Sequence, residues 1–322
     1  MLRTGRDLPR EIDRMQPRRH PLILPRPLQE RLDAAVSEFV HADKRFDADF
    51  SSPPGEPAFT APDSISWQVF KNPLSLFVGG VAAVILELAE PRVRAGVWGH
   101  TTFRDDPMQR IRRTGLSAMM TVYGARSRTE KMIARVGAMH TRVSGTTEDG
   151  RPYRADDPEL LNWVHATARF GFLEAYDTWV HSLDEIARSR FHHEGIESAH
   201  LYGAHGAPAT EQELELFFMA MRDRLEPSSV IFEFLDIVRS VRLLPRSMGG
   251  IQELLVKAAI DILPAWVRER LELGDAWDLG PWQQIAVRRA GAAIDRIPLR
   301  SGPAAQACRR LGLPEDYLYK AR

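Results

Sequence analysis

Three groups of side chains in this sequence could do chemistry. Arg110, Arg113 and Thr114 stand at i, i+3 and i+4, so one helix face would carry two guanidinium groups and a hydroxyl. The same stretch offers Ile111, Leu116, Met119 and Met120 for packing. Arginines on a packed helix need anionic partners, because an unpaired buried charge is very costly. Those partners are either Asp and Glu of neighbouring helices or the carboxylates of a bound cofactor. His140 lies on the apolar stripe formed by Met132, Ile133, Val136 and Val143. A neutral imidazole there is either a satisfied core group or an axial ligand of a metal. His165, between Leu161 and Arg169, sits near the apolar side of the next helical stretch and admits the same two readings.

His100 and Glu194, on separate segments, complete the set. His100, His140, His165 and Glu194 together could build a non-heme metal site inside a helical bundle. The paired Glu-x-x-His motif of di-iron bundles is absent. His192-His193-Glu194 does not have the spacing in which two histidines one helical turn apart flank a glutamate. A solvated face is the plainer reading of that triplet. Gly79-Gly80 falls within a helical run, where it allows close helix packing or the approach of a cofactor rather than cradling a phosphate. No nucleophile elbow, P-loop or dinucleotide-binding fingerprint is present.

The elements that must position these residues read as helices. Pro73–Ala89 is apolar nearly all round, as a central helix should be. Pro107 opens Met108–Tyr123, which Gly124 stops, and Arg126–Ser144 follows, ended by Gly145. Thr146–Asp157 has the composition of a small hairpin, with a Glu-Asp-Gly tip. Asp157-Pro158 starts Glu159–Val180, and Ser182 with Glu185 reads as a capping box for the helix after it. Thr210–Leu225, Val230–Leu244, Ile251–Leu273 (interrupted at Pro264) and Trp282–Arg296 complete the series. Period-two alternation is nowhere sustained, and no repeat or internal linker divides 64–300. The expected architecture is all-α: an N-terminal irregular arm with one short helix over 1–63, one helical domain over 64–300 and a C-terminal extension over 301–322.

Composition narrows the classes. Of 322 residues, 43 are basic and 43 acidic, so no overall field favours nucleic acid. Only Lys44, Lys71, Lys131, Lys257 and Lys320 are lysines; the remaining basic residues are arginines, the better partner for carboxylates. Cys308 stands alone, which excludes an internal disulfide and a cysteine-cluster metal site. As a heme thiolate it is chemically conceivable, but its place after Gly302-Pro303 reads as a buried thiol. The longest apolar run, Leu74–Leu86, spans about 13 residues against the about 20 a membrane crossing needs, so no transmembrane segment is expected. The N-terminus has no signal-peptide core, and a cytoplasmic location is the expectation.

The order of the motifs adds a resemblance. A Gly79-Gly80 helix ends in Ala89-Glu90-Pro91 and is followed by Val97-Trp-Gly-His100-Thr-Thr-Phe103 and Asp106-Pro107-Met-Gln-Arg110-Ile-Arg-Arg113-Thr114. Next come His140-Thr-Arg-Val-Ser-Gly145, Tyr153-Arg-Ala-Asp-Asp-Pro158, Trp163-Val-His165-Ala-Thr167 and Phe191-His-His-Glu194. Over roughly residues 64–245 this series resembles the catalytic domain of latex-clearing (rubber oxygenase) and MpaB-type proteins. The resemblance implies a globin-like helical core that binds heme b through a proximal histidine, the position held here by His140. It also places Arg110, Arg113 and Thr114 beside the heme, to hold propionates, polarise dioxygen and donate a hydrogen bond. His165, His100 and Glu194 are the remaining pocket candidates. Where latex-clearing proteins carry a distal lysine this chain has Arg113, which stays protonated and is a poor metal ligand. No counterpart of their acidic base is evident, so rubber is not the expected substrate.

The expected function is therefore a heme b oxygenase or oxidase using dioxygen on a hydrophobic small molecule, of the class of unsaturated isoprenoids or polyketide-like compounds. Two alternatives stand beside it: a non-heme metal enzyme using His100, His140, His165 and Glu194, and a cofactor-free helical binding or scaffold protein.

Overall fold

The computed structural model describes residues 21–43, 48–100, 103–241 and 249–320. Residues 1–20 and 44–47 of the expected arm over 1–63 and the last turn of the expected Val230–Leu244 helix therefore fall outside the described residues, and the arm's short helix is Arg26–His41. The chain runs α1 (Arg26–His41), α2 (Ile65–Phe70), α3 (Pro73–Ala89), α4 (Pro91–His100), α5 (Pro107–Tyr123) and α6 (Arg126–His140). A hairpin of β1 (Ser144–Thr146) and β2 (Pro152–Arg154) leads to α7 (Pro158–Trp179), α8 (Glu185–Glu194), α9 (Ile196–Leu201) and α10 (Glu211–Met221). The series closes with α11 (Ser229–Ser240), α12 (Gly249–Asp261), α13 (Ala265–Arg270), α14 (Pro281–Ile294) and α15 (Pro303–Arg310). The fold is all-α, and its one sheet among the described residues is the antiparallel hairpin, with Gly145 opposite Tyr153.

Local chemistry explains where the helices begin. Asn72, Asp106 and Asp157 each cap a helix whose first turn carries proline, with the side-chain oxygen accepting a backbone N–H. Thr210 caps α10 by accepting from Glu213, while the Glu213 carboxylate reaches back to the Ala209 N–H. At α8 the expected box at Ser182 is displaced: Asp184 accepts from the Ala187 N–H, and Ser182 bonds Asp177 instead. Helix α6 ends earlier than expected, at His140, because the Val143 N–H turns back to the His140 carbonyl and the chain enters the hairpin.

Helices α3 and α7 form the axis. They run antiparallel, with Gly79 against Gly171 and Trp163 Nε1 donating to the Leu86 carbonyl at 3.2 Å. A Cβ on Gly79 would fall 2.7 Å from both the Gly171 carbonyl oxygen and Phe172 Cα, so only glycine permits this crossing. Around one side of the pair, α10 to α14 bury an apolar core that includes Phe218, Phe234, Val256, Leu263 and Val287. On the other side a second core gathers Phe50, Trp67, Leu116, Tyr123, Phe191 and the C-terminal Cys308 and Leu318. Here the segment before α3 meets the segment after α14: Arg310 donates to the carbonyls of Phe50 and Glu56, and Lys71 pairs with Asp295 at 2.9 Å inside the protein. Cys308 is fully buried in this core.

Candidate functional site

The α5–α6 pair is held off the α3–α7 pair. Its backbone packs on α2, α15 and α9 and makes no more than marginal contact with α3 or α7. The side chains between the two pairs record the gap. Leu76 (α3), Ala118 (α5), Met132 (α6) and Ala168 (α7) converge on one apolar cluster, yet each stays half-buried. Along α3, otherwise a core helix, Gly80, Val84 and Glu87 are half-buried as well. A Cβ added at Gly80, Gly115 or Gly137 would meet nothing within 4 Å. We read these half-buried apolar residues and open glycines as the two walls of an apolar slot between the helix pairs. Near Tyr123, α2 and α9 stand at its end: Tyr123 donates to the Trp67 carbonyl, and Thr121 Oγ1 lies 3.1 Å from the Tyr202 hydroxyl.

Three polar side chains gather toward the opposite end: Glu87 from α3, Arg110 from α5 and His140 from the last turn of α6. None of them hydrogen-bonds a described residue, and the Arg110 Nε is buried without a partner. Their electrostatics couple. Burial raises the Glu87 carboxyl to about 7, with the Arg110 charge pulling the other way. Burial lowers Arg110, Glu87 raises it and Arg113 lowers it further. Burial lowers His140 first, Arg110 adds to this, and Asp156 opposes it. The imidazole is thus kept neutral, the form in which histidine ligates a metal. Glu87 was missed in the sequence, although a signal existed: it is the only charged residue in the apolar run of α3.

The other expected site residues have other engagements. Arg113 turns from the slot to an ion pair with Asp43, whose side chain is only 5% exposed. Thr114 is exposed on the outer face of α5. His100 is exposed, and its Nε2 lies 3.0 Å from the Tyr153 hydroxyl on the hairpin. Glu194 serves the start of α2, accepting the Ser66 N–H and Oγ at 2.8 Å and the Ile65 N–H at 3.1 Å. His165 faces α8 and α9, near His192 and His200. The structure therefore does not bring His100, His140, His165 and Glu194 together. Among the described residues no group of three or more His, Cys, Asp or Glu side chains is placed to hold a metal ion.

The family described as ER-bound oxygenase mpaB/B'/Rubber oxygenase, catalytic domain, matches residues 67–296, from within α2 to just past α14. The chain belongs to this family. Neither the curated proteins nor the solved structures gave a significant match. Membership in the mpaB/rubber oxygenase family makes the chain an oxygenase-type catalytic domain, an oxidoreductase acting on a small molecule with dioxygen. Among the described residues no single helix is long and apolar enough to cross a membrane; only α3 and α4 pass that test together, bent by 110°. The matched span contains the slot and all three of its polar residues. The residues around the slot have the chemistry that the planar cofactor implied by the family resemblance would need. Its walls are apolar, three glycines leave open space, His140 offers a neutral imidazole, and Arg110 has an orphaned buried donor.

Proposed function

We propose that the chain is a heme b-dependent oxygenase acting on a hydrophobic small molecule, with His140 as the proximal iron ligand. The observation that carries this reading is the apolar slot between α3–α7 and α5–α6, beside which His140, Arg110 and Glu87 gather with no side-chain hydrogen bond to a described residue. Heme, when bound, supplies the activation of dioxygen.

The chain's own residues do the rest. His140 holds the cofactor from the end of α6, where the hairpin fixes the exit of the chain. Arg110 would offer a positive charge and its unpartnered Nε–H to negative charge that develops during oxygen chemistry, and burial would strengthen the effect. Glu87, held near 7, can accept or return a proton at neutral pH, the property wanted in a general acid–base. Leu76, Val84, Ala118 and Met132 offer only apolar contact, which selects a hydrocarbon-rich substrate such as an unsaturated isoprenoid or polyketide-like compound. Arg113 is tied to Asp43 and does not take the place of the distal lysine of latex-clearing proteins. That separates this chain from a rubber-cleaving enzyme.

The test is the absorption spectrum of the purified protein, alone and after addition of hemin. The reading expects a Soret band that remains with the protein through gel filtration and about one heme per chain. Protein that retains no hemin in this assay would overturn it.

A further inference from the structure

A second polar cluster lies outside the Glu87–Arg110–His140 group. Arg169 on α7, with His165 one turn before it, faces α8 and α9. The Arg169 guanidinium lies 3.4 Å from the centroid of the Phe191 ring, and Gly195 makes room for it: a Cβ there would stand 3.1 Å from Cζ and Nε. Arg169 is 7% exposed. Its Nε and Nη2, together with His165 Nε2, are buried with no hydrogen-bond partner among the described residues.

The nearby acids are engaged elsewhere. Glu194 is held by the Ile65 and Ser66 N–H groups and by Arg190. Glu211 is held by Arg188 and by His192 Nε2. Burial draws Arg169 down to about 9 against the pull of Glu194, and draws His165 down to about 3. An arginine kept in the interior without an acceptor lacks the compensation that buried cations otherwise have. A carboxylate supplies it in the strongest form, two parallel charge-assisted N–H···O bonds.

The cluster adjoins the slot. His165 and Arg169 flank Ala168, which lines it, and α9, which carries His200 toward His165, is followed by Tyr202 bonded to Thr121 of α5. We propose that Arg169, assisted by His165, receives a carboxylate of the cofactor, a heme propionate, at the α9 end of the slot. This rests on the heme reading and reassigns the propionates from Arg110 and Arg113 to α7.

The experiment titrates the cofactor-free full chain with hemin and with hemin dimethyl ester, in which both propionates are esterified, following the Soret band. Wild type is expected to bind hemin more tightly than the diester. Arg169→Met is expected to weaken hemin binding about 10- to 100-fold, the worth of a hydrogen bond to a charged group, while leaving the diester unchanged. Arg169→Lys, which keeps a cation, is expected to retain part of the preference. Equal hemin binding by wild type and Arg169→Met overturns the assignment and leaves the heme reading intact. So does loss of diester binding together with hemin binding in Arg169→Met, which marks a loss of fold rather than of an anion partner. A wild type that binds neither porphyrin overturns both readings.

Discussion

The adjacent glycines of α3 make opposite predictions. Gly79 is pressed on the α7 backbone, and a Cβ there would meet the Gly171 carbonyl oxygen and Phe172 Cα at 2.7 Å. One residue on, a Cβ at Gly80 would meet nothing within 4 Å. Both positions are mid-helix, so alanine brings each the same gain in helix propensity, about 0.5–1 kcal/mol. The difference between the two variants therefore isolates the steric term. Overpacking of a fitted interior costs about 1–3 kcal/mol, and backbone atoms, which cannot swing aside, place Gly79 at the upper end. Gly80→Ala is expected to be as stable as wild type or slightly more so, and Gly79→Ala to be less stable than Gly80→Ala by about 3 kcal/mol. Urea unfolding of the cofactor-free protein, at equal m-values, reads this directly. Gly80→Phe extends the test to function: with open space around it, it is expected to fold and to lose hemin binding. Equal stability of the two alanine variants would refute the helix-contact argument. Hemin binding by Gly80→Phe as tight as wild type would refute the slot.

Glu194→Gln is expected to cost about 1–2 kcal/mol, since the amide is a weaker acceptor for the N–H groups at the start of α2, and to leave hemin binding unchanged. Loss of the Soret band in that variant would return Glu194 to the site. Glu87 titrates at about 7 in the fold against 4.5 when free. The sign follows from that order: its contribution to stability is complete below pH 4.5 and is lost as pH rises through 7. Glu87→Gln should therefore exceed wild type in stability at pH 8, by up to about 3 kcal/mol, and match it near pH 4 in denaturant titrations of the cofactor-free protein. An equal gap at both pH values would show that Glu87 is not buried as described.

The helices were legible in the sequence because their signals are local. Asp106-Pro107, Asp157-Pro158 and Thr210 with Glu213 mark helix starts through the hydrogen bonds they make in the structure. Gly79-Gly80 carried two readings, close helix packing and cofactor approach; the structure gives the first to Gly79 and leaves open space beside Gly80. What escaped the sequence depends on long-range pairing. Nothing in the spacing of Arg110 and Arg113 shows that the second is claimed by Asp43, a residue of the chain beyond α1. Glu194 stood among the site candidates through its grouping with His100, His140 and His165 and through the motif order, whereas its partners lie far away in sequence, at Ile65 and Ser66. The orphaned Arg169 could not be told from any other helical arginine until α8 and α9 were placed around it.

The central claim is that His140 holds the cofactor, and cavity rescue tests it most directly. His140→Gly removes the imidazole at the end of α6 and leaves the slot walls in place. The account predicts that this variant loses its Soret band on gel filtration and regains it when free imidazole is added with hemin. Heme retention equal to wild type without imidazole would contradict it.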